Sequence, residues 1–122
     1  MLEKLRKAGL KTAMLSNGTR KMLTAGVEAN GIASMMDALL SVEDVGVFKP
    51  NPAVYKLAAD YFSVEPRSVC FVSGNFWDIH GTATFGFNVV WVNRAGVLPE
   101  RLPRGTMATT TTLAELPALL GA

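Results

Sequence analysis

The stretch that most constrains the fold is Val69-Cys70-Phe71-Val72, a continuous apolar run bounded by Arg67-Ser68 and Ser73-Gly74. An apolar run without alternation predicts a strand covered on both faces, as in parallel sheets packed between helices. It then breaks into Ser73-Gly74-Asn75-Phe76-Trp77-Asp78, small polar groups ending in a carboxylate. In parallel α/β sheets ligands sit beyond the carboxyl ends of the strands, so this junction is a candidate site.

The rest of the chain repeats the pattern of strand, turn and helix. Leu2, Leu5 and Ala8 have helical spacing and Gly9 ends it, which predicts a short helix over 2–8. A strand is expected over 11–15, stopped by Ser16-Asn17-Gly18, then a helix over 19–30 with Gly31 after its end. A second strand covers 38–42. Asn51 and Pro52 read as an N-cap with proline at the first helical position, and Val54, Leu57, Ala58, Tyr61 and Phe62 form one apolar stripe. After the strand at 69–72, a helix is expected over 77–85, closed by Gly86, and a buried strand over 89–92. Residues 93–107 contain Pro99, Pro103, two glycines and three arginines and read as a loop with solvated arginines. A last strand over 109–112 leads into a helix over 113–120 that Pro117 should kink. The expected fold is α/β, a parallel sheet with helices on both faces.

Composition sets outer limits. A chain of 122 residues with 49% hydrophobic content makes one domain, 1–122. Twelve basic and ten acidic residues leave a net charge of +2, too balanced for a nucleic-acid or membrane surface. No apolar run approaches the roughly 20 residues that span a bilayer, and no signal-peptide pattern opens the chain; a cytoplasmic protein is expected. Cys70, the single cysteine, excludes an intramolecular disulfide and reads as a buried, inert thiol.

Two further polar clusters sit at similar junctions. Ser16-Asn17-Gly18 offers a hydroxyl, an amide and free backbone N–H groups before a helix, a setting that favours an anion, although the same tripeptide is an ordinary turn. Lys49 stands before Pro50 on a stiffened loop and can neutralise a carboxylate, or be simply solvated. Asp78 can pair with such a lysine or compensate the first turn of its helix. Trp77 can pack in the core or form an aromatic wall. His80, the single histidine, has no partner pattern and reads as a helix-face residue; no Cys/His spacing indicates a metal.

The order of these clusters, Ser-Asn-Gly after a strand, Lys-Pro about thirty residues later, then strand-Ser-x-Asn-x-Trp-Asp, resembles the haloacid dehalogenase superfamily, and within it the (S)-2-haloacid dehalogenases. Leu40-Ser41-Val42, Tyr55 six residues after Lys49, Phe85-Gly86-Phe87 and Trp91-Val92-Asn93-Arg94 extend the resemblance. It implies a Rossmann-like, three-layer core and hydrolysis of the carbon–halogen bond of small 2-haloalkanoic acids without a cofactor or metal. Ser16 and the backbone after it would hold the substrate carboxylate, and Asn17 and Trp77 would line the halide pocket. Lys49 would pair with the nucleophile and Asp78 with Lys49, while Ser73, Asn75 and Tyr55 would position the nucleophile and water. Phosphatases of the superfamily carry Gly-Asp-x-x-x-Asp at the last cluster; Gly74 stands where their first acid would be, which disfavours a phosphatase-like hydrolase.

The resemblance also defines what these residues do not contain. The family's nucleophilic aspartate lies in an Asp-x-Tyr-Gly-Thr-like segment on a first, central strand, and the family has a helical cap. The sole acid before Ser16 is Glu3, on a predicted helix. The expectation is therefore a truncated core lacking the first strand and the cap, inactive alone. Its exposed strand edges would pair directly or be filled through a homodimer or strand-swapped oligomer. The competing reading is a non-catalytic oligomerising remnant.

Overall fold

The computed structural model describes residues 1–98 and 101–122. Pro99, one of the two prolines of the expected loop, lies outside the described residues. Helix α1 (Leu2–Lys7) leads to strand β1 (Ala13–Ser16), helix α2 (Arg20–Ala29) and strand β2 (Ala38–Ser41). Helix α3 (Pro52–Phe62), strand β3 (Cys70–Ser73), helix α4 (Phe76–Phe85) and strand β4 (Asn88–Val92) follow. Strand β5 (Thr106–Thr110) and helix α5 (Leu116–Leu119) end the order. Every strand pairing is parallel, so the α/β expectation holds.

The expected single sheet is divided in two. Among the described residues β1 pairs only with β2, Ala13 opposite Ala38 to Ser16 opposite Ser41, while β3, β4 and β5 form a separate three-stranded sheet. Direct pairing of β1 with β3 does not occur among the described residues. Side chains of both strands nevertheless meet in one core: Leu15 and Phe71 pack against a cluster of Leu40, Tyr55, Ile79, Phe87, Val89 and Trp91. On the opposite face Leu5 of α1 and Leu116 of α5 cover Val90, with Cys70 and Val72 beside them. Alternation along β3 and β4 thus sends Phe71, Val89 and Trp91 to one helical layer and Cys70, Val72 and Val90 to the other.

Local chemistry explains the element ends. Thr19 caps α2 by accepting from the Met22 N–H at 3.1 Å, and Asn51 caps α3 by accepting from the Ala53 N–H at 2.9 Å with Pro52 just inside. Gly86 closes α4 at φ 115°, a left-handed value that glycine adopts without strain. At the amino ends of β1 and β2, Asp37 accepts from the Thr12 N–H at 2.8 Å and pairs with Arg6 at 2.7 Å. Those bonds, chiefly the backbone one, hold the Asp37 carboxyl below its usual range.

Several sequence expectations need correction. The apolar stripe of α3 is shifted: Val54, Tyr55, Ala58 and Ala59 are buried, while Tyr61 is 56% exposed. Met22, an apolar residue of α2, is also exposed. β5 begins at Thr106, inside the expected loop, because its threonines and Met107 carry a weak apolar signal but good strand propensity. Pro117 does not kink a long helix; a 3-10 turn over Leu113–Glu115 comes first and Pro117 lies in the opening turn of α5, where its missing N–H costs nothing. Cys70 is only partly buried, and that burial raises its thiol pKa. No helix of the described residues is long and apolar enough to cross a membrane.

Candidate active site

Parallel pairing brings Ser16, Ser41 and Ser73 to the carboxyl ends of β1, β2 and β3. Asp78 stands just beyond, in the first turn of α4, with its side chain 3% exposed. Three donors converge on it. The Lys49 ammonium reaches Oδ2 at 3.0 Å, the Ser73 hydroxyl reaches Oδ2 at 3.2 Å, and the Tyr55 phenol donates to Oδ1 at 2.8 Å. Burying a carboxylate is costly unless it is paired and hydrogen-bonded, and here both oxygens are engaged.

Each donor is held from a different element. Tyr55 is wholly buried on α3, its ring edge-on to Phe71 and Phe87. Burial first, and the bond to Asp78 second, keep its phenol protonated far above the ordinary range. Ser73 ends β3, and its oxygen also accepts from the Asn75 N–H at 3.1 Å, which turns the chain into α4. Lys49 lies with its Nζ 5.1 Å from the Phe71 ring centroid, a cation–π contact in a side chain only 9% exposed. Its backbone N–H donates to the Asn17 Oδ1 at 2.9 Å.

The first cluster is built differently from its anion-site expectation. Ser16 ends β1, and its Oγ accepts from the Gly18 N–H at 3.0 Å, leaving the hydroxyl proton for another acceptor. Ser41, which is fully buried, donates to the Gly18 carbonyl at 2.7 Å and fixes the turn. The α2 amino end already holds an internal carboxylate: Glu43 Oε2 accepts from the Arg20 N–H at 2.8 Å.

Lys49, Tyr55, Ser73 and Asp78 therefore share one network, and Asn17 joins it through the Lys49 backbone. Ser16 lies at the neighbouring strand end. Asn75 and Trp77 are exposed at the start of α4 and make no side-chain hydrogen bond to the network among the described residues. Trp77 is not core, being 48% exposed. His80 is exposed and stacks edge-on with Phe76 at 4.6 Å, outside the network. Sequence reasoning missed Phe71 beneath Lys49 and the supporting role of Ser41. Strand alternation carried a signal for Phe71, which shares a face with Ser73. No three His, Cys, Asp or Glu side chains gather into a metal-sized group among the described residues.

Known proteins share this fold. The sequence pattern of the haloacid dehalogenase-like hydrolases matches residues 1–86. The (S)-2-haloacid dehalogenase 4A of Burkholderia cepacia is 46% identical over 99 residues, covering 81% of this chain and 43% of that protein. A solved L-2-haloacid dehalogenase superposes with a TM-score of 0.93 at 37% identity, over 99% of this chain and 53% of the other. The L-2-haloacid dehalogenase from Xanthobacter autotrophicus, solved with chloropropionic acid covalently bound, gives a TM-score of 0.85 at 33% identity, over 99% of this chain and 58% of that one. The chain spans about half the length of the curated relatives it matches. Profile, identity and superposition agree that this chain belongs to the haloacid dehalogenase-like hydrolases.

Proposed function

We propose that these residues form one wall of a 2-haloacid dehalogenase site, hydrolysing the carbon–halogen bond of small 2-haloalkanoic acids. The carrying observation is the Lys49–Asp78–Ser73–Tyr55 network. It fixes a nearly buried ammonium at the strand ends, where a second carboxylate placed beside it would be held ionised and ready to attack. That second carboxylate, the nucleophile, would displace halide from C2, forming an ester that water hydrolyses to the 2-hydroxy acid and the free carboxylate. The Xanthobacter relative with covalently bound chloropropionic acid supports a covalent route.

Within this reading Ser16 donates its free hydroxyl proton to the substrate carboxylate. Asn17, its Oδ1 committed to Lys49, turns its amide N–H groups outward toward the leaving halide. Trp77, exposed beside Asp78, screens that halide from water. Asn75 would orient the hydrolytic water, and Tyr55 acts from behind through Asp78.

Among the described residues Asp78 is the sole carboxylate paired with Lys49. The nucleophile is proposed to arrive on a further strand that pairs with the open edges of β1 and β3, and without it the 122 residues are inactive. The test is chloride release from L-2-chloropropionate, by the chain alone and after mixing with a segment carrying the family's Asp-x-Tyr-Gly-Thr strand. Release only in the mixture is expected. Release by the chain alone would refute the missing nucleophile, and a bound segment without release would refute the dehalogenase reading.

A further inference from the structure

The interior of α4 carries a glycine whose position matters. Gly81 lies three residues after Asp78, on the same face of the helix. A glycine there lowers helix stability relative to alanine, so its presence calls for a packing reason. The reason is visible in the contacts that a Cβ would meet: the Tyr55 hydroxyl at 2.6 Å, the Pro50 Cβ at 2.9 Å and the Tyr55 Cε2 at 3.1 Å. The two contacts come from the loop before α3 and from its first turns. Pro50 follows Lys49 directly, and Tyr55 donates to Asp78. Among the glycines of the described residues, Gly81 alone would bring a Cβ within 3.0 Å of another residue.

We propose that Gly81 is a positioning residue: its bare backbone lets the Tyr55 phenol and the Pro50 ring close on α4, and this closure sets the reach of Lys49 to Asp78. A side chain at 81 would push Tyr55 off the Asp78 Oδ1 and displace the loop that carries Lys49. The two ends of the ion pair are thus referenced to one point on α4. The proposal rests on the dehalogenase reading only for the use of the pair; the geometry stands without it.

The experiment therefore reads the pair and not turnover. The full chain is acetylated at its lysines and each site is quantified by mass spectrometry, with the exposed Lys11 as internal reference. Gly81→Ala is expected to raise Lys49 labelling about tenfold, the factor that losing one hydrogen bond to a charged group carries. Val27→Ala, buried on α2 away from the pair, serves as a control for general loosening. In a Tyr55→Phe background, which removes the nearest clashing atom but leaves the Pro50 Cβ at 2.9 Å, Gly81→Ala should still raise Lys49 labelling, by less than in the natural chain. Unchanged Lys49 labelling in Gly81→Ala, an equal rise in Val27→Ala, or full additivity with Tyr55→Phe would each overturn the proposal. Should Gly81→Ala fail to fold, the same substitution with Tyr55→Phe and Pro50→Gly, which removes both atoms within 3.0 Å, decides: recovery of a cooperative fold supports the contact, and failure to recover overturns it. Absence of dehalogenation in any mixture would leave these results intact.

Discussion

Replacing Asp78 by alanine should be far more damaging than removing the lysine it pairs with, although each change breaks the same 3.0 Å ion pair. The asymmetry follows from the donor count. Asp78 satisfies an ammonium, a phenol on a wholly buried ring and a serine hydroxyl, so its loss strands three groups at once. Breaking a buried pair from the side that leaves an uncompensated charge costs about 3–5 kcal/mol. Lys49→Met also leaves a charge without its ion partner, but that carboxylate keeps the hydrogen bonds from Tyr55 and Ser73, so the loss is smaller, about 2 kcal/mol, as for one hydrogen bond to a charged group. A domain of this size loses about 4 °C in Tm per kcal/mol, which predicts shifts of about 15 °C for Asp78→Ala and about 8 °C for Lys49→Met. Urea and thermal unfolding followed by the fluorescence of the buried Trp91, in a Trp77→Phe background, would measure both. Equal losses, or a larger loss for Lys49→Met, would refute the view that Asp78 is the hub.

Two further outcomes concern pH. The Tyr55 phenol is raised by burial and then by Asp78, so in the folded chain it stays protonated where the unfolded chain ionises. Its contribution is complete below about pH 10 and declines as pH rises above that, by about 1.4 kcal/mol per unit. Stability measured between neutral pH and about pH 11 should fall more steeply in the natural chain than in Tyr55→Phe, and parallel curves would count against the buried phenol. Asp37 behaves with the opposite sign: lowered first by the Thr12 N–H, then by Arg6 and Lys11, its contribution is present at neutral pH and lost as pH falls through the carboxylate range. Asp37→Asn should flatten the acid limb of the unfolding curve, and an unchanged limb would show that the β1–β2 base does not depend on that charge.

Much of this was legible because local chemistry and tertiary packing agree. Asn51-Pro52, Gly86 and the apolar run at 69–72 placed α3, the end of α4 and β3 within a residue or two. Lys49 and Asp78 were legible as partners through their order in the chain, and the structure joins them. What periodicity could not give was the side of α3 that meets the site. Tyr55 sits one residue off the predicted stripe because α3 packs partly against α4, and a phenol with a buried partner counts as polar in a hydrophobic pattern. The start of β5, placed three residues too late, escaped for a related reason: Thr106, Thr109 and Thr110 satisfy a ladder through the backbone, which an apolar pattern does not register.

The burial of the strands carries the last step. In a layered α/β sheet the strands nearest the middle should be the most enclosed. Here β2 and β4 are largely buried, whereas β1 and β3, each paired on one edge only among the described residues, are partly exposed along their length. Leu15 and Phe71 already point into a common core, so the open edges border apolar side chains rather than solvent-facing ones. A strand that paired with them would be covered by helices on both faces and would need an apolar run like Val69–Val72 rather than an alternating one. Running parallel to β1 and β3, it would end at the same side as Ser16 and Ser73, within reach of Lys49. An acid at that carboxyl end would meet an ammonium whose carboxylate partner among the described residues is Asp78, and this is the place where the proposed chemistry has to begin.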